Sequence, residues 1–302
     1  MFDLLIIIRH VVKRLLINNQ SDVAEIFNNY FVNVAKDIGS ESCTVDDNHP
    51  SIQAIRENCN FEDNLSFTEI SDDFVEKQIN KINVNKLTGF DGVSVKIMKM
   101  AKPVIVKPIT KLINKSISSA KFPDNLKEAH VVPLHKKNSQ LEARNYRPVS
   151  ILPVVSKIFE RAIYQQLINY FDNIFNPYLS AFRPGYGCNI ALLKVIEDWK
   201  KAVDTNLYVA AVLMDLSKAF DCLPHDLLLL KLMAYSLSEN ALNLIDDYLS
   251  NRKQCVKVGT YFSTWKNIYK GVPQGSRFNS LLKSHHIHTI KYSFTIKYML
   301  QI

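Results

Sequence analysis

The 302 residues carry 37 Lys and Arg against 29 Asp and Glu, a net charge of +8, and 47% of them are apolar. That apolar share builds a real core and excludes a disordered chain, while the basic surplus favours an anionic partner such as nucleic acid. Five cysteines (Cys43, Cys59, Cys188, Cys222 and Cys255) are odd in number and widely spread, with no Cys-x-x-Cys pair, so they read as reduced packing residues of an intracellular protein and exclude a disulfide scaffold or a zinc finger.

In chain order, the run Met1 to Ile8 is apolar but short, contains Asp3, and is followed rather than preceded by Arg9, Lys13 and Arg14. It supports neither a signal peptide nor a membrane span, and reads as an amphipathic helix or an accidental leader. Asp22 to Ile38 carries apolar residues at helical spacing, whereas the polar stretch Gly39 to Asn60, with His49-Pro50, predicts a loop and a boundary near residue 60. Helices are then predicted around Val75, Ile79 and Ile82, around Ile105 to Ile113 from a start near Pro103, around Val155 to Leu167, and around Leu192 to Trp199. Ala129 to Leu134 is a short extended run that stops at His135-Lys136-Lys137.

Leu207 to Met214 is a continuous apolar run of strand length that ends on Asp215. Two further helices are predicted over Asp226 to Leu237 and Glu239 to Ser250, followed by a hairpin of Gln254 to Val258 and Ser263 to Tyr269 around Gly259-Thr260. Helices and strands mix without regular alternation, which predicts an α+β architecture. Three regions follow: a poorly specified N-terminal linker or helical region over 1–60, the main domain over 61–282, and an aberrant basic tail over 283–302.

An apolar strand ending in Asp215 holds a carboxylate at the rim of a sheet, where its oxygens are free for a hard cation. By itself such an aspartate reads more readily as the cap of a following turn or helix. Its context changes that balance. Asp215-Leu216-Ser217-Lys218-Ala219-Phe220-Asp221, followed by Pro224-His225, resembles motif A of reverse transcriptases in the form found in non-LTR (LINE-like, jockey-like) retrotransposons. The remaining blocks of that family occur in order. Lys86-Leu87-Thr88-Gly89-Phe90-Asp91-Gly92 resembles the opening block, and Ala129 to Lys137 with Asn145-Tyr146-Arg147-Pro148-Val149-Ser150 resemble the two fingers motifs. Ser180 to Tyr186 resembles the segment before motif A, and Gly271-Val272-Pro273-Gln274-Gly275-Ser276 resembles motif B.

The resemblance implies the fingers and part of the palm of a right-hand polymerase, acting on an RNA template, a DNA primer and deoxynucleoside triphosphates with Mg²⁺ as cofactor. Asp215 is then the catalytic carboxylate and metal ligand, with the Leu216 carbonyl as a second metal ligand. Phe220 is the steric gate against a 2′-hydroxyl, and Ala219 leaves room for the 3′ side of the sugar. Lys136 and Arg147 suit the triphosphate, and Gln274 lines the nucleotide pocket. Lys136, Lys137 and Arg183 read equally as solvated basic surface. Asp221 and His225 are expected to cap and orient the helix after motif A, and Asp91 to serve a turn.

The family's second acidic element, motif C, has no match. From Tyr248 to Ile302 there is no Asp or Glu, against nine Arg and Lys, and motif B departs from the family after Ser276. Asp246-Asp247 precedes motif B within a helical pattern and is expected on a solvated helix face. His285, His286 and His288 are expected in a surface loop. The domain is thus expected to be incomplete at its C-terminus and inactive alone as a polymerase. The alternatives are a catalytically dead nucleic-acid-binding module and an incomplete piece of an active reverse transcriptase.

Overall fold

A mixed parallel and antiparallel sheet organises the computed structural model. The structure describes residues 8–9, 16–17, 19–37, 47–59, 64–172, 174, 180, 185–209, 218, 220–275 and 278, the side chains of 8–9, 16–17, 36–37 and 58 excepted. Two short antiparallel strands, β1 (Ile8–Arg9) and β2 (Leu16–Ile17), precede α1 (Gln20–Asp37) and α2 (Pro50–Asn58). Next come α3 (Asp72–Lys81), α4 (Val95–Met100), α5 (Lys102–Ser119), β3 (Glu128–His135), β4 (Tyr146–Ile151) and α6 (Val154–Phe171). The chain continues through α7 (Cys188–Asp204), α8 (His225–Ala234), α9 (Glu239–Leu249), β5 (Arg252–Val258), β6 (Tyr261–Phe262) and β7 (Lys266–Ile268). Helix and sheet are mixed in the α+β manner.

β3 pairs antiparallel with β4, with Leu134 opposite Arg147, and parallel with β5, with His130 opposite Cys255. The opposite edge of β5 takes β6 and β7, both antiparallel, so the predicted hairpin turns at Gly259-Thr260. Pro133 and Pro148 face one another across the first pair. Their missing N–H groups are tolerated because β4 is an edge strand and β5 pairs with β3 only as far as Val131.

Alternation along the strands divides the two faces of the sheet. On one face Val131, Tyr146, Val256 and Val258 meet Val23, Ala24, Phe27 and Phe31 of α1 in a small core. A buried polar bridge fixes that helix: Asn28 donates to the Ser263 hydroxyl at 2.9 Å and to the Thr264 carbonyl at 2.7 Å, and accepts from Gln254 at 3.0 Å. The larger core gathers the apolar faces of α3, α5, α6, α8 and α9 around Ile79, Ile113, Phe159, Leu228 and Leu244. Those faces follow the helical period of the sequence, because burial on one side of a helix recurs every three to four residues.

Three expectations change. Residues 50–58 form a helix where a loop is predicted: Pro50 stands in its first turn, the His49 imidazole accepts from the Ser51 N–H at 3.2 Å, and Ile52 and Ile55 are fully buried. The apolar stripe of α7 forms a helix as predicted but buries none of its residues, and Trp199 is 45% exposed. Asp247 is no solvated residue either. It accepts from Lys127 and Lys121, both at 3.0 Å, and from the Phe122 N–H at 2.8 Å, neutralising the buried Lys127 ammonium. Asp246 is exposed as expected.

The expected strand end at Asp215 lies outside the described residues, as do Arg183, Cys43, Met1 to Asp3, and the histidines at 285, 286 and 288. Cys59, Cys188, Cys222 and Cys255 are free thiols. Among the described residues no helix is long and apolar enough to cross a membrane.

Candidate functional site

The β3–β4 hairpin delivers two cations. Lys136 is exposed just past the end of β3, where its N–H bonds the Asn145 carbonyl at 2.9 Å and closes the connecting loop. Arg147, the second residue of β4, is exposed on the sheet face turned away from α1. The pairing register thus holds both side chains at one end of the hairpin.

A tight turn faces them. The Asp221 N–H donates to the Lys218 carbonyl at 2.9 Å and the Cys222 N–H to the same oxygen at 3.1 Å, with Lys218 in the left-handed region at φ 53°. The Lys218 ammonium lies 3.4 Å from the Tyr146 carbonyl and 3.5 Å from that of Arg144, and 5.3 Å from the centre of the Tyr30 ring on α1. Burial pushes its pKa down, and Lys136 and Arg147 push the same way against the pull of Asp221. Lys136, Arg147 and Asp221 thus all lie within electrostatic reach of the Lys218 ammonium.

The segment Gly271 to Gln274 closes the arrangement. The Gly271 N–H donates to the Leu223 carbonyl and the Val272 N–H to the Phe220 carbonyl, at 2.9 and 2.8 Å. The Gln274 carbonyl accepts from the Ser150 N–H at 2.9 Å, while its side-chain amide donates to Asp221 at 2.9 Å. Gly271 has φ 79°, and a Cβ there would stand 2.5 Å from the Phe220 oxygen. Only glycine allows this approach. His225 donates its Nε2 proton to the Gly271 carbonyl at 2.7 Å, since a carbonyl can only accept. Burial lowers the His225 pKa, and that hydrogen bond partly opposes the shift.

Asp221 and His225 are thus not helix caps. Pro224 precedes α8 without a side-chain capping bond, and the two residues instead stitch the turn and the start of α8 to the Gly271 segment. Asp91 serves a turn as expected, accepting from the Val93 N–H at 3.2 Å beside the Gly92-to-Gly89 hydrogen bond.

Of the predicted site residues, Lys136, Arg147 and Gln274 come together around the 218–221 turn. Phe220 joins through its carbonyl, while its ring is partly buried against the larger core. Asp215, Leu216 and Ala219 lie outside the described residues. A small cleft on the α1 side of the sheet is lined by Phe31, Val32, Pro148, Ser150, Asp221 and Gln274; of the predicted site residues Gln274 borders it, while Lys136, Arg147 and Phe220 do not. Among the described residues no three His, Cys, Asp or Glu side chains converge as a metal requires, so this donor set by itself does not fit a divalent ion. Tyr30 belongs to the apolar helical pattern of Asp22 to Ile38 and Lys218 to the motif A block, but neither position carries a sequence signal for the contact that brings the two together.

Residues 134–295 match the family described as reverse transcriptase (RNA-dependent DNA polymerase). Over 207 residues the chain is 30% identical to the probable RNA-directed DNA polymerase from transposon X-element of Drosophila melanogaster, covering 68% of this chain and 23% of that one. It is 28% identical over 228 residues to the RNA-directed DNA polymerase from mobile element jockey of the same organism, covering 74% and 25%. A third relative, the transposon TX1 uncharacterized 149 kDa protein of Xenopus laevis, is 24% identical over 219 residues, covering 72% and 17%. The chain spans about a quarter or less of the length of these relatives. With more than half of its residues matched, the chain belongs to the reverse transcriptase family, in the form carried by non-LTR retrotransposons.

Proposed function

We propose that the chain supplies the fingers and part of the palm of an RNA-directed DNA polymerase and that, as a separate polypeptide, it binds nucleotide and nucleic acid without extending a primer. In this reading Lys136 and Arg147 take the triphosphate, Arg147 by paired contacts to its oxygens. Phe220 and Ala219 form the floor beneath the sugar, and Gln274 borders the pocket. Asp215 and the Leu216 carbonyl are the metal ligands on the strength of the resemblance alone. Mg²⁺, when bound, supplies charge neutralisation for phosphoryl transfer.

The observation that carries the reading is the double bond of Gln274, by its carbonyl to Ser150 and by its amide to Asp221. It joins three sequence blocks, each suited to nucleotide handling, around one cleft. Inactivity follows from the acid inventory. With no Asp or Glu from Tyr248 onward, one motif A carboxylate cannot fix two metal ions in the geometry of in-line attack. A loss of ~4 kcal/mol of transition-state stabilisation slows the chemistry roughly a thousandfold.

Primer extension on an RNA template with Mg²⁺ and deoxynucleotides tests this, with Asp215→Asn alongside. No extension by either protein is expected. Extension that the substitution abolishes would overturn the inactivity and leave the polymerase assignment standing.

A further inference from the structure

On the sheet face opposite α1, four rings from separate parts of the chain form a continuous run. Phe90 meets Trp265 edge-on at 5.8 Å, Trp265 lies offset-parallel to His130 at 5.8 Å and 26°, and His130 meets Phe262 at 4.8 Å. Yet Trp265 and Phe262 remain 43% and 44% exposed, so the cluster is not a closed core. The Lys257 ammonium stands 5.3 Å over the Phe262 ring, and Lys253 shares that face of β5, beside Glu128. Burial holds the His130 pKa below its usual value and Lys257 adds to this, so its ring is neutral at pH 7 and stacks as an aromatic.

His130 and Leu134 lie on the same face of β3, and Leu134 stands opposite Arg147. Four residues at ~3.4 Å each put the rings roughly 14 Å from Arg147 along the strand. A surface combining half-exposed rings with lysine ammonium groups fits a polymer with planar bases and a repeating negative charge.

We infer that Trp265 and Phe262, backed by His130 and Phe90, form a stacking platform for the bases of a single strand of nucleic acid that runs past the proposed nucleotide site, with Lys257 on its phosphates. The inference rests on the polymerase reading for its polarity but not for the binding itself. Because stacking uses the face of any base, the platform holds a strand without reading its sequence.

The test uses the full chain with Trp199→Phe, which leaves Trp265 as the sole tryptophan. The probes are a fluorescein-labelled oligouridine of about 12 nucleotides and an abasic strand of equal length. Anisotropy at pH 7.5 should show Trp265→Ala binding the oligouridine roughly tenfold more weakly, Phe262→Ala weakened in the same direction, and Trp265→Tyr close to the parent. Trp265 emission should be quenched by the oligouridine and not by the abasic strand, which should bind the parent and Trp265→Ala alike. Each variant is checked by its thermal midpoint, and Phe262→Ala carries the test if Trp265→Ala does not fold. Equal affinity of the alanine variants and the parent for oligouridine, or equal affinity of the parent for the two strands, would overturn the platform while leaving nucleic-acid binding intact. Failure of every strand to bind would overturn both the platform and the polymerase reading.

Discussion

The amide of Gln274 and the carboxylate of Asp221 are 53 residues apart in sequence and 2.9 Å apart in space. This single contact orients the end of the Gly271 segment against the turn that carries Lys218 and Phe220. Gln274→Ala is expected to cost about 1.5–3 kcal/mol, the range for a hydrogen bond to a charged group. Gln274→Glu should cost more by setting two carboxylates against one another, and should recover as the pH falls through the carboxylate range. Urea titrations at pH 7 and pH 5 check both.

Gly271→Ala places a side chain in the left-handed region, directly against the Phe220 carbonyl. A loss of about 3 kcal/mol is expected, because the backbone strain cannot relax without parting the two segments. A chemical melt measures it, and an unchanged midpoint would mean that the close approach is not required.

Arg147→Ala and Lys136→Ala test the nucleotide site without needing catalysis. Each should weaken binding of a fluorescent deoxynucleoside triphosphate, Arg147→Ala by roughly tenfold or more because it loses paired oxygen contacts that a lysine replacement cannot restore. Fluorescence titration at fixed salt reads the change. Equal affinity across parent and variants would remove these residues from the site.

Asp247 sits where burial alone would raise its pKa, yet Lys127, Lys121 and the Phe122 N–H hold it below the usual carboxylate range. The ionised form is thus favoured by folding. Its contribution is present in full above the unfolded value of 3.8 and is lost as pH falls through the lower folded value. Asp247→Ala should cost about 3 kcal/mol at pH 7, since among the described residues Lys127 is left buried with the exposed Asp124 as its remaining ion-pair partner. The difference from the parent should narrow below pH 4 in acid titrations.

Lys231 is 1% exposed, and burial lowers its pKa from 10.5 to about 7. A lysine whose folded pKa lies below its unfolded one binds fewer protons when folded, so stability rises with pH between about 7 and 10.5. Lys231→Met should therefore raise stability at pH 7, by on the order of 1 kcal/mol, with a gain that shrinks as pH approaches 10. Denaturation midpoints at pH 7, 8.5 and 10 follow the trend, and a gain that grows with pH would contradict it.

Several elements were legible because their signal is local. The apolar spacing of Val75 and Ile79, or of Ile109 and Ile113, is written into consecutive turns, and all four side chains are buried where that period places them. The hairpin around Gly259-Thr260 is legible for the same reason, since turn chemistry and alternation act over a few residues. Pro50 misleads because proline marks a loop and a helix first turn alike, and burial of Ile52 and Ile55 decides between them.

By itself the sequence determined the family, the order of its blocks and the absence of acidic residues beyond Tyr248. These are properties of residue identity and spacing along the chain. Only the tertiary structure decided that Asp221 and His225 clamp a distant segment, that Asp247 neutralises a buried lysine, and that four rings from 90 to 265 share one surface. The physical reason is that hydrogen bonds, ion pairs and ring contacts act over a few ångströms in space, whereas a linear pattern records only neighbours along the chain.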